Sequence, residues 1–96
     1  MSISTMDKRV NEKFPIGLKY QAPDLEEGDT LASAIVSILP SETNGLEVVG
    51  NAVVEEDEVT QTVQKGISGH DYYVTFKVTT TLGNVYEDKI LVKVRD

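Results

Sequence analysis

The chain has 96 residues, of which 16 are acidic and 9 basic, for a net charge of −7 with its one histidine neutral, and it has no cysteine. That length supports one domain around one small core, and the missing cysteines exclude disulfide scaffolds, thiol nucleophiles and thiolate metal sites. The acidic balance argues against nucleic-acid binding, which needs clustered Lys and Arg.

Residues 1–13 are polar and mixed in charge, and Ile3, Met6 and Val10 are too scattered for strand alternation. They read as an N-terminal arm ahead of a single domain spanning 14–96. No stretch forms a signal-peptide core or approaches the ~20 apolar residues of a spanning helix, so a product soluble where it is made is expected, with no membrane partner. Alone, the arm buries too little apolar surface to offset an ordering cost of ~1–2 kcal/mol per residue, so disorder is expected until it meets a partner. The candidate partner-binding residues are Ile3, Met6 and Val10, with Lys8 and Arg9, the only adjacent basic pair in the chain.

Phe14, Ile16, Leu18 and Tyr20 then alternate with Pro15, Gly17 and Lys19, the period of a half-buried strand, and Pro15 and Gly17 suit an edge. Gln21 to Asp29 reads as a solvated loop. Thr30 to Leu39 also fits a helical stripe, but β-branched Ile35, Val36 and Ile38 and the closing Pro40 favour a strand. Gly45–Val49 and Asn51–Glu55 read as two short strands around a Gly50-Asn51 turn, followed by an acidic loop at 55–58 and a strand over 59–65.

The last third alternates most clearly. After a turn at 66–70, Tyr72, Val74, Phe76 and Val78 face one way and Tyr73, Thr75, Lys77 and Thr79 the other. Gly83 sits where a hairpin loop needs positive φ, and Tyr86, Ile90, Val92 and Val94 return on the core face. About seven short strands with no confident helix predict an all-β, immunoglobulin/fibronectin-like antiparallel β-sandwich with an extended N-terminal arm. Its core is expected to include Phe14, Leu18, Val36, Val63, Tyr72, Val74, Phe76, Ile90 and Val92. Gly69 and Tyr72, at the entry to the best strand, suit a tyrosine corner whose hydroxyl bonds back to the upstream backbone.

No catalytic, cofactor or metal site is expected. Ser68, His70 and Asp71 are the residue types of a hydrolase triad, but within one tight turn they cannot align as nucleophile, base and orienting acid. The acidic runs 24–29 and 55–58 lack the spacing and central glycine of an EF-hand. They read as solvated charge, with calcium as the alternative. No phosphate-cradling loop or paired cleft carboxylates appear.

The string Val63-Gln-Lys-Gly66-Ile-Ser-Gly69-His-Asp-Tyr72-Tyr-Val74-Thr75, then Thr79-Thr-Thr-Leu-Gly83-Asn and Asp88-Lys-Ile90-Leu-Val92-Lys-Val94, resembles the small immunoglobulin-like structural proteins encoded among tailed-bacteriophage virion genes. Gly28-Asp-Thr-Leu-Ala-Ser33 is similar to that family's acidic turn, with Leu25 where many relatives carry Trp. The resemblance implies a non-enzymatic virion protein, made in the host cytoplasm. It would be an accessory, cementing, decoration or connector subunit of capsid, neck or tail. Its implied partners are other virion proteins, with a homo-oligomeric or multi-copy state in the particle. An adhesive or carbohydrate-binding immunoglobulin-like module of a bacterial or phage surface protein is the alternative.

Overall fold

The computed structural model describes residues 3–20, 25 and 27–96, which form seven strands and no helix. In chain order these are β1 (Ile3–Lys8), β2 (Phe14–Lys19), β3 (Leu31–Leu39), β4 (Glu47–Val54), β5 (Glu58–Gln64), β6 (Asp71–Thr80) and β7 (Val85–Val94). They make two packed sheets, one four-stranded in the order β1-β7-β6-β3 and one three-stranded in the order β2-β5-β4. The β-sandwich expected from the strand pattern is therefore present.

The core follows from period-2 alternation. Tyr72, Val74, Phe76 and Val78 of β6 are fully buried, as are Val92 and Val94 of β7 and Val59 and Val63 of β5. The β6–β7 ladder pairs Tyr72 with Val92 and Val74 with Ile90, so both strands present their apolar face to the same side. Ile16 is the buried residue of β2, while Phe14, Leu18 and Val36 pack against the core half-buried. Leu25 is also buried. β2 lies at a sheet edge, where the missing N–H of Pro15 is tolerated.

The N-terminal segment differs from its expected disorder. Ile3–Lys8 is β1, paired in parallel with β7 from Ile3 against Lys89 to Lys8 against Val94. The sandwich is thus antiparallel everywhere except at this pair. Met6 and Val10 find apolar cover on the core that they lack in isolation, and burial together with six ladder positions offsets the ordering entropy.

The second difference lies at Gly50. Residues 47–54 form one strand, not two around a turn, with the β4–β5 register breaking between Val49 and Val53. Gly50 takes φ 69°, and positive φ at a glycine serves a bulge as well as a turn. The buried side chain of Gln61 repairs the break: Nε2 donates to Val49 O at 3.2 Å and Gly50 O at 3.3 Å. One added strand and one fusion leave the expected strand number unchanged.

Candidate functional site: the β3 side of the four-stranded sheet

The residues singled out from the sequence separate into buried anchors and open surface. Tyr72 is buried at the start of β6, and its hydroxyl accepts from Ile67 N–H at 3.2 Å and donates to Glu42 Oε1 at 2.5 Å. Glu42, in the β3–β4 connection, also meets His70 Nδ1 at 2.8 Å. Hydrogen bonds from Tyr72 and His70 hold the Glu42 carboxyl below the usual carboxylate range, and burial together with Glu42 pushes the Tyr72 phenol up. Gly69 and Gly83 occupy their turns at φ 87° and 89°. Asp71 pairs with Arg95 at 2.9 Å and His70 with Glu42 at 2.8 Å, so the two side chains take different partners.

Of the N-terminal candidates, Arg9 is exposed, Met6 and Val10 are packed against the core, and Ile3 holds its ladder position opposite Lys89. Lys8 is buried, and its ammonium donates to Lys65 O at 2.6 Å, Arg9 O at 2.8 Å and Val10 O at 3.3 Å. All three donors of an ammonium are thus used. Burial lowers the Lys8 pKa, opposed by the nearby Glu12. Lys65 sits at φ 65°, uncommon for a residue with a Cβ, and the Lys8 contact helps to fix that turn. Lys8 is therefore a fastening of β1 and not surface charge.

Asp29 is another anchor. The carboxylate is buried, and Oδ1 accepts from Thr30 N–H at 2.9 Å, Thr81 Oγ1 at 2.9 Å and Leu82 N–H at 3.1 Å, with Asn84 Nδ2 donating to Oδ2 at 3.3 Å. Burial pushes the carboxyl up, and hydrogen bonds from Thr80, Leu82, Thr81 and Asn84 more than reverse this, leaving its pKa below the ordinary value. The β2–β3 loop is thereby pinned to the β6–β7 hairpin. No three His, Asp or Glu side chains among the described residues group as a metal site, and Asp24 and Glu26 of the calcium alternative lie outside those residues.

The open surface is on the β3 side. Register places Leu39 of β3 opposite Tyr73 of β6, and Tyr73 opposite Leu91 of β7, so three large side chains form one row on the outer face of the sheet. Leu39 is 65% and Tyr73 43% exposed, with Leu91 half-buried between its neighbours. Below the sheet edge, an open groove runs between β3 and β4, lined by Ala34, Val36 and Ile38 on one side and Val48 and Ala52 on the other. Exposed apolar residues grouped in this way make the β3 side the candidate interaction surface.

The family model described as podophage GP4 fiber-tail adaptor protein gp77 matches residues 8–93. The chain belongs to this family. It is a structural, tail-associated phage protein, and its place is the virion. No curated protein matches it. In this gp77-family chain the matched span takes in β2 to β6 whole, most of β7 and the anchors Lys8, Asp29, Glu42 and Tyr72. Sequence reading missed Lys8, Asp29 and Gln61 as anchors. Asp29 had a local signal, a carboxylate immediately before a strand, but its partners Thr81, Leu82 and Asn84 are more than fifty positions away.

Proposed function

We propose that the protein is a non-enzymatic connecting subunit at the junction of podophage tail and fibre, binding another virion protein through the outer face of its four-stranded sheet. The Leu39–Tyr73–Leu91 row carries this reading. Three adjacent strands deliver it in register, and it rests on the best-buried part of the core, so it is rigid before binding. Tyr at the centre of an apolar patch is a favoured interface anchor.

The family description supports tail and fibre over capsid or neck. Divergence of His70 toward Glu42 and Asp71 toward Arg95 supports a binding role over a hydrolytic one. Strand orders β2-β5-β4 and β7-β6-β3 correspond to B-E-D and G-F-C of immunoglobulin domains, which supports an immunoglobulin-like reading of the sandwich.

Complementation of a phage lacking this gene tests the proposal. Tyr73→Asp combined with Leu91→Asp should leave a folded protein that is absent from tails, with particles lacking fibres. Normal fibred particles carrying the double variant would overturn it. Fibred particles that no longer bind the host would favour the adhesive alternative.

A further inference from the structure

Four strands end the two sheets, and three of them carry features that discourage pairing with another chain. β2 contains Pro15, Gly17 and Lys19, β4 contains Glu47 and a broken ladder at Gly50, and β1 carries the exposed charge of Asp7. β3 has only β6 beside it among the described strands, and no charged residue stands between Asp29 and Glu42. Its start is tied down, with Leu31 N–H donating to Glu56 O at 2.9 Å, and its ladder to β6 is regular from Ser33 to Leu39. An uncharged, regular edge strand is a template for another strand.

We infer that β3 pairs antiparallel with β3 of a second copy of this chain, about a two-fold axis through Ile35, joining the two four-stranded sheets into one. The sequence at the edge selects a second copy over a foreign strand. Ser33-Ala-Ile35-Val-Ser37 reads the same in both directions except for Ala34 against Val36. A two-fold axis at Ile35 sets Ile35 against Ile35 and Ser33 against Ser37 on the outer face, and small Ala34 against larger Val36 on the inner face. An isologous contact requires this self-complementarity, and matched side chains opposite one another are the unit of sheet stabilisation.

Exposure and charge agree with that axis. Ile35 is 71% exposed, the highest value among the described large hydrophobic residues, and it lies on the axis itself. Half-buried Ala34, Val36 and Ile38, which line the groove between β3 and β4, would be covered by the incoming strand. A molecule of charge −7 repels its copies, and this edge brings no like charges into opposition. Lys77, the register neighbour of Ile35 on β6, stays three strand spacings from its counterpart, about 14 Å and beyond the screening length at physiological salt.

Sedimentation equilibrium of the full chain reads the self-association. A concentration-dependent dimer is expected. Ile35→Lys sets two ammonium groups face to face and should weaken it roughly tenfold or more, with circular dichroism unchanged and the thermal midpoint equal to wild type at concentrations where both are monomeric. Because the chain has no cysteine, Ile35→Cys under mild oxidation should give a covalent dimer, whereas Val85→Cys, exposed on the same face but on β7, two strands in from the β3 edge, should not. A wild-type monomer at every concentration overturns the inference and leaves the edge to a strand of another virion protein. Equal dissociation of wild type and Ile35→Lys, or equal cross-linking at 35 and 85, also overturns it. None of these outcomes bears on the Tyr73–Leu91 face, whose test reads particle incorporation.

Discussion

β1 and β3 flank the same four-stranded sheet, yet β1 ends in a buried ammonium held by three carbonyl oxygens, while β3 runs nine residues without a charge. Both are edges, but only one is finished. On the β1 side, one hydrogen bond from Lys8 Nζ, to Lys65 O, fastens the strand to the β5–β6 turn, and Arg95 N–H donates to Lys8 O at 2.9 Å. On the β3 side, the side-chain anchors Asp29 and Glu42 lie at the strand's two ends: Asp29 pins its approach and Glu42, through Tyr72, its exit. Between those anchors Ser33, Ile35 and Ser37 face outward, while Ala34 and Val36 pack against the core. A buried polar group thus decides where the sheet is closed, and the absence of charge decides where it can be extended.

Val92 underlies both halves, since it is the register partner of Met6 in β1 and of Tyr72 in β6 and is fully buried. Val92→Ala should give the largest loss, about 2–3 kcal/mol from lost burial and a residual cavity, read from the denaturant midpoint. Lys8→Met keeps the length of the side chain but takes the ammonium donor from three carbonyls, of which Arg9 O keeps a second donor, Glu12 N–H. It should cost about 2 kcal/mol and raise hydrogen exchange at β1 before the rest of the sheet. If Lys8→Met left stability unchanged, the contrast between a fastened edge and an open one would lose its cause.

Tyr72→Phe removes the hydroxyl shared by Glu42 and Ile67 and should cost about 1.5 kcal/mol, because the acceptor is a carboxylate. Tyr73→Phe, on the outer face, should be close to neutral. Acid acts on the same β3 anchors. Asp29 and Glu42 both have folded pKa values below the ordinary one, so the stability they contribute is complete above the usual carboxylate range of about 3.9–4.3 and is lost as pH falls through their folded values. The thermal midpoint should stay flat from neutral pH to about 5 and then drop. Asp29→Asn should start lower at neutral pH and lose less on acidification. Ile35→Lys should have the smallest effect on folding, within about 0.5 kcal/mol.

The same contrast explains what could be read from the sequence. The β6–β7 hairpin was legible because its partners are close in sequence, its alternation from Tyr72 to Val78 is unbroken, and Gly83 marks the turn. Parallel pairing of β1 with β7 left no such trace: Ile3 meets Lys89 from the far end of the chain, and a lysine buried by carbonyl oxygens looks like any surface lysine. In sequence Gly50 has the signature of a turn because a bulge asks the same φ of glycine, and what distinguishes the two is the pairing of β4 with β5 on both sides of the break and the amide of Gln61, eleven residues on. The open edge was visible as an uncharged run from Thr30 to Ser41, but its position at the end of a sheet depends on topology, which composition does not encode.

Hydroxyl-radical footprinting, comparing the free protein with the protein in assembled tails, tests most directly whether the β3 side is the surface that binds the virion. Tyr73 and Leu39 should lose reactivity on incorporation, with Pro15 and Leu18 of β2 unchanged. Tyr73 as reactive in the tail as in solution, with the loss falling on β2 instead, would contradict the assignment.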